Sequence, residues 1–158
     1  MNREAKKRGE KMFYQLRLAE KRDKDAIQSF LTEAGTSHKG INEDKNHFIL
    51  MEDCQKKIVA CLGMEKIENE KGLLRSLVVS DQLNQGHVVS LFQSMQVFCE
   101  KREIHTLYLV TNKQTSVNLL EVLGFKQTEN KPNELNQSQH ASVSLEANEA
   151  VLMMKKLT

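Results

Sequence analysis

The residues with the most chemical content lie between Gly72 and Met95. They read G-L-L-R-S-L-V-V-S-D-Q-L-N-Q-G-H-V-V-S-L-F-Q-S-M, a strand, a tight polar turn and a helix. The first turn of a helix has backbone N–H groups without intrahelical acceptors, and these, with the helix dipole, can hold a phosphate. The junction therefore points to an anionic cofactor, although Asn84-Gln85-Gly86 before an amphipathic helix also occurs in α/β proteins that bind nothing. Metal chemistry has no such foothold. The five histidines (His38, His47, His87, His105, His140) are scattered without ligand spacing, and the three cysteines (Cys54, Cys61, Cys99) contain no C-x-x-C pair. No metal and no disulfide framework are expected, with Cys61 and Cys99 buried as small apolar residues and the histidines on the surface.

A frame must position the Gly72–Met95 segment, and length and composition bound what it is. At 158 residues, with 39% hydrophobic and 28% charged residues, the chain suits a soluble globular domain able to bury a core without staples. Residues 1–12 read as a basic N-terminal tail and 13–158 as a single domain. Within the first eleven residues Arg3, Lys6, Lys7, Arg8 and Lys11 face only Glu4 and Glu10, so the rest of the chain is nearly neutral. With no Trp, two Tyr and six Phe, none grouped among basic residues, the sequence does not resemble a nucleic-acid binder. No apolar run approaches the roughly 18 residues of a membrane span, and the basic start precedes no signal-like region. A cytoplasmic protein with no membrane or nucleic-acid partner is expected.

Apolar periodicity orders the elements. Tyr14, Leu16 and Leu18 alternate in a first strand, Asp23 can cap a helix carrying Ile27, Phe30, Leu31 and Ala34, and Gly35 stops it. Residues 36–46 are polar and hold at most a short helical turn. Strands at 47–52 and 57–65 form a hairpin, and the strand Leu73–Val79 is apolar on both faces apart from Arg75 and Ser76, as in a sheet covered on both sides. Val88, Leu91, Phe92, Met95, Phe98 and Cys99 then recur at helical spacing. A strand over 104–111, a helix carrying Val117, Leu120 and Leu123 up to Gly124, a polar loop from Thr128 to Asn148 and a last strand in A-V-L-M-M-K-K-L complete the chain. The expected fold is α/β (α+β), a mixed, twisted sheet of about six to seven strands in the order β-α-β-β-β-α-β-α-β with helices on both faces.

That order, with L-L-R-S-L-V-V-S-D-Q-L-N-Q-G-H-V-V-S-L and the later N-L-L-E-V-L-G-F, resembles the GNAT N-acetyltransferases over residues 14–157. L-R-S-L-V-V, L-Y-L-V-T and K-P-N-E-L before V-L-M-M-K-K look most similar to single-domain amino-acid acetyltransferases, such as the N-acetylglutamate synthase catalytic domain and the arsenic-operon enzymes. The resemblance implies acetyl-CoA as co-substrate and acetyl transfer to the amine of a small acceptor, an amino acid or similar compound. A homodimer is compatible with it. In the family a Gln or Arg opens the phosphate loop, with glycines three and five positions later. Gln85 and Gly86 fit the pattern, whereas Val88 and Ser90 stand at the glycine positions, so the implied loop Gln85-Gly86-His87-Val88-Val89-Ser90 is altered. The family also binds the pantetheine arm through the backbone of the strand carried here by Leu77, Val78 and Val79. The Val79 N–H would serve the developing oxyanion, beside the Leu77 backbone.

Side-chain acids and bases are few. The strand Glu found in many family members is replaced by Leu73 and the helix Tyr by Leu120, which leaves Glu65 or Glu68 as a base acting through water. Strand alternation puts Arg75 on the face of Leu77 and Val79, with Ser76 on the other unless a bulge intervenes. The Arg75 guanidinium either grips an acceptor carboxylate, with Ser76 beside it, or pairs across the hairpin with Glu65 or Glu68. The other functional class these substitutions allow is a non-catalytic GNAT-like binding or regulatory module with a degraded cofactor loop.

Overall fold

The structure, a computed structural model, describes residues 13–36 and 46–157. The basic segment 1–12 and nearly all of the polar stretch 36–46 lie outside these residues. Strands β1 (Gln15–Leu18), β2 (Asn46–Glu52), β3 (Ile58–Ile67), β4 (Lys71–Val79), β5 (Thr106–Thr111), β6 (Lys126–Gln127) and β7 (Val151–Lys156) form where apolar residues alternate or run together. Helices α1 (Lys24–Glu33), α2 (Gln85–Lys101), α3 (Gln114–Val122) and α4 (Gln139–Glu146) alternate with them, and short 3-10 turns occupy Lys21–Asp23 and Asn133–Gln137. One seven-stranded sheet results, in the order β1-β2-β3-β4-β5-β7-β6, with β4 and β5 parallel and every other neighbouring pair antiparallel.

Alternation along the strands sends side chains to two separate cores. Met51, Leu62, Met64, Leu74, Leu107 and Met153 face the apolar stripes of α2 (Leu91, Met95, Cys99) and α3 (Val117, Leu120). Phe48, Leu50 and Cys61 on the opposite face cover α1 through Ile27 and Leu31, and Leu73, Tyr108 and Leu152 pack beside Leu135 and Ala141 of the 3-10 turn and α4. Helices therefore lie on both faces, with α2 and α3 on one and α1 and α4 on the other. Gly35 (φ +72°) ends α1 and Gly124 (φ +97°) ends α3, each in the left-handed region where a Cβ is costly.

The polar stretch 128–148 is not loop throughout, because it holds the 3-10 turn Asn133–Gln137 and α4. Ser138 is fully buried, its Oγ accepts the Ala141 N–H at 3.0 Å, and Leu135, Ala141 and Leu145 give the segment an apolar side. Those few apolar residues, spread among Asn, Gln and Ser, are too sparse to register as a helical stripe in the sequence.

Asp23 also departs from its expected role, since at the start of α1 its side chain caps no helical N–H. Its carboxylate instead accepts two hydrogen bonds from the Arg17 guanidinium, at 2.7 Å on each oxygen, and a third from the Glu20 N–H. Arg17 in turn donates to Glu52 at 2.8 Å, which ties β1, β2 and α1 together. The Arg17 guanidinium holds the Asp23 carboxyl down at about 2, from an ordinary 3.8. A depressed carboxylate stabilises the fold above its unfolded value and loses that contribution as pH falls toward the folded one. Asp23→Asn is therefore expected to cost about 2 kcal/mol at neutral pH. The gap between wild type and variant in urea melts should close as pH falls from about 4 to about 2.

Candidate active site

The sheet parts in its middle. β4 and β5 pair only over Lys71–Leu73 and Thr106–Tyr108, yet β4 continues to Val79 and β5 to Thr111. Beyond Leu73, the edge of β4 that faces β5 has no strand partner among the described residues. Backbone N–H and C=O groups along such an edge need partners, and an extended chain laid in the gap would supply them.

A bulge re-aims β4 at the same place. Gly63 pairs with Arg75 and Cys61 with Val78, so Ser76 and Leu77 together stand opposite Leu62. Ser76 has a φ of 56°, a left-handed conformation uncommon for a residue with a Cβ. The extra residue reverses the alternation expected from the sequence. Val79 packs against the α2/α3 core with Leu74, whereas Val78 packs on the α1 side. Arg75 thus shares the face of Val78 rather than that of Val79, and Ser76, expected to point away, brings its Oγ within 3.2 Å of the Arg75 Nε.

A cavity of about 370 Å³ fills the split. Leu74, Arg75, Ser76 and Leu77 of β4 and Leu109–Thr111 of β5 form its walls. Phe92 of α2 and Ser116, Leu119 and Leu120 of α3 line it from one side of the sheet, and His140 and Ser144 of α4 from the other. The cavity therefore runs through the sheet from one helical layer to the other.

Arg75 is 3% exposed and is its buried cation. Behind it lies Glu65, also 3% exposed, with Oε1 at 3.9 Å from the Arg75 Nη1. Ser138 Oγ donates to that same oxygen at 2.8 Å. Glu65 is not on the cavity wall, so the structure does not bring this expected base into the cavity beside Arg75 and Ser76, and Glu68 is exposed on the β3–β4 turn. What it brings together is Arg75, Ser76 and a residue the sequence reading placed on the surface, His140. Burial and the nearby Arg75 charge push the His140 imidazole down to about 4, so it is neutral at pH 7. The signal that could have found it is S-Q-H-A-S-V-S, in which Ser138 caps a helix and His140 and Ser144 recur at i and i+4 on one side.

The turn after β4 leads directly into α2, whose first residue is Gln85. Asn84 and His87 close a capping box: the His87 N–H donates to Asn84 Oδ1 at 3.2 Å and the Asn84 N–H to His87 Nδ1 at 3.0 Å. Of the first-turn amides, those of Gln85 and Gly86 remain outside the box, and both residues are exposed. Val88 is already helical and its side chain packs against the α2/α3 core, so its position requires no positive φ. Val89 and Ser90 follow on the next turn, and Ser90 Oγ donates to the Gly86 carbonyl at 3.1 Å. From Gly86 to Phe92 on the cavity wall is about 9 Å along the helix axis. Among the described residues, no group of His, Cys, Asp and Glu is arranged to hold a metal, and no helix is long and apolar enough to cross a membrane.

A seven-stranded sheet split between two parallel strands, with a helix starting where the first of them ends, is the GNAT fold. It matches a GNAT-family acetyltransferase from Staphylococcus aureus Mu50 with a TM-score of 0.70 at 15% identity, over 92% of this chain and all of that one. It also matches the N-acetylglutamate synthase of Neisseria gonorrhoeae, solved with coenzyme A and N-acetyl-glutamate. There the TM-score is 0.71 at 17% identity, over 92% of this chain and 35% of the longer synthase. No protein-family profile matches the sequence. The chain belongs to the family of the uncharacterized protein YwlB of Bacillus subtilis (strain 168), with which it is 50% identical over 144 residues, 91% of this chain and 98% of YwlB.

Proposed function

We propose that the chain is an acetyl-CoA-dependent N-acetyltransferase. Its acceptor is a small amine that carries a carboxylate, an amino acid or amino-acid-like compound. The observation that carries this reading is the split between β4 and β5, a through-sheet cavity with a buried arginine on its wall. The groups present suit the co-substrate: an unpaired β4 edge for an amide-bearing arm, and first-turn amides of α2 for its pyrophosphate. Leu77, Val78 and Val79 would hold the arm through their backbones, and Gln85, Gly86, His87, Val88, Val89 and Ser90 would surround the phosphates. When bound, acetyl-CoA supplies an activated acetyl group.

The chain's own work is positioning. Arg75, with Ser76 holding its Nε, receives the acceptor carboxylate, and the Glu65–Ser138 pair fixes the guanidinium from behind. The Val79 N–H faces the carbonyl oxygen as charge develops on it. Leu120 closes the apolar side of the cavity, where the family often places an aromatic ring. The reading as a non-catalytic module draws on Val88, Leu73 and Leu120, but a Val88 that is helical and packed on the core removes the strongest of these objections. Fluorescent detection of thiol release from acetyl-CoA, across the common L-amino acids and their decarboxylated amines, tests the proposal. Turnover with at least one amino acid and none with its amine is expected, and turnover confined to amines without a carboxylate contradicts the acceptor assignment.

A further inference from the structure

We propose that His140 takes the proton from the acceptor's ammonium, and that the acceptor's own carboxylate, by neutralising Arg75, equips it to do so. The inference rests on the acetyltransferase reading and adds the base that Glu65 of β3 and Glu68 of the β3–β4 turn, neither of them on the cavity wall, do not provide.

Three observations carry it. His140 lines the cavity together with Arg75 and Ser76, on the side of the sheet opposite Phe92 and Leu120. Its place there is fixed by Ser138, fully buried, whose Oγ donates to Glu65 of β3 and accepts the Ala141 N–H at the head of α4. The imidazole is oriented: Nε2 lies 3.4 Å from Ser144 Oγ, and Nδ1 has no hydrogen-bond partner among the described residues. In the tautomer with the proton on Nε2 toward Ser144, Nδ1 offers a lone pair to the cavity.

The surrounding charges explain why a substrate is needed. Arg75 of β4 and Lys113, just before α3, line the same cavity, Glu65 of β3 lies behind Arg75, and Tyr108 of β5 packs in the cluster that contains Ala141. Burial first and the Arg75 charge second push the imidazole down, which keeps His140 neutral and a weak proton acceptor. A carboxylate on Arg75 offsets the second of these causes and moves the imidazole upward, in the direction of a better base. The ammonium N–H bond then breaks and its proton passes to Nδ1. The freed amine bonds to the acetyl carbonyl carbon, the carbon–sulfur bond breaks, and the departing thiolate takes the second proton from nitrogen. His140 returns its proton to water.

The test uses the full chain with an amino acid that supports thiol release. His140→Gln is expected to lower kcat about a hundredfold with little change in acceptor KM or acetyl-CoA affinity, and to lose the acid limb of the kcat–pH profile. In the wild type without acetyl-CoA, the His140 imidazole is followed by 15N-detected NMR. Its midpoint should rise above about 4 when the N-acetyl product, which keeps the carboxylate and lacks the ammonium, is added. An unchanged midpoint with product bound, or a His140→Gln enzyme with wild-type kcat and pH profile, overturns the inference and leaves the acetyltransferase reading standing. A wild type that neither binds acetyl-CoA nor releases thiol overturns both. Should His140→Gln fail to fold, the NMR titration of the wild type decides.

Discussion

Arg75→Met is expected to raise the acceptor KM roughly a hundredfold while the acetyl-CoA dissociation constant changes less than about threefold. Losing a desolvated, two-pronged guanidinium–carboxylate contact costs about 3 kcal/mol, and each 1.4 kcal/mol is a factor of ten. The single substitution is not a clean test, because Arg75 and Glu65 are both 3% exposed and removing one leaves the other charge buried. That alone costs about 3–5 kcal/mol of stability. Arg75→Met combined with Glu65→Gln removes both charges. The double variant is expected to recover most of the lost stability in a thermal melt without recovering acceptor binding. If it regains a wild-type KM, Arg75 serves the fold and the acceptor is held elsewhere.

Gly86→Glu should move two quantities in opposite directions. A glycine at a helical position costs up to about 1 kcal/mol relative to a good helix former, and a carboxylate in the first turn complements the dipole, so the unliganded melting temperature should rise. A Cβ at this position meets only Asn84 Oδ1, at 3.1 Å, which needs to give by a few tenths of an ångström. The same carboxylate stands where the Gln85 and Gly86 amides would face the pyrophosphate. Repulsion of about 1–3 kcal/mol at that distance should weaken acetyl-CoA roughly ten- to a hundredfold in calorimetry. A stabilised variant that binds acetyl-CoA as the wild type does would mean that the α2 N-terminus is not the phosphate site.

The frame of this molecule is legible in its sequence because each long element carries its own period. The Val88-to-Cys99 stripe and the Gly35 and Gly124 stops all appear where the residues indicate. Two features escape that logic. The bulge at Ser76 and Leu77 depends on pairing with β3, and no local pattern shows that one residue of β3 faces two of β4, so strand alternation puts Arg75 on the face of Val79, opposite to where the fold does. His140 escapes because α4 is held by the Ser138–Glu65 contact across 73 residues and by only three apolar side chains, Leu135 before it and Ala141 and Leu145 within it. The turn from Gln85 to Ser90 is a third case, because the sequence does not show which backbone conformation Val88 takes. The glycine position it replaces lies inside the helix, where a β-branched residue packed on the core is tolerated.

Calorimetric titration of the wild-type chain with acetyl-CoA, with free adenosine as the control, reaches the central claim most directly, because both the split sheet and the α2 N-terminus must act for binding to occur. One-to-one binding of acetyl-CoA with no heat from adenosine is the expected result. No binding of acetyl-CoA at millimolar concentration would contradict the account.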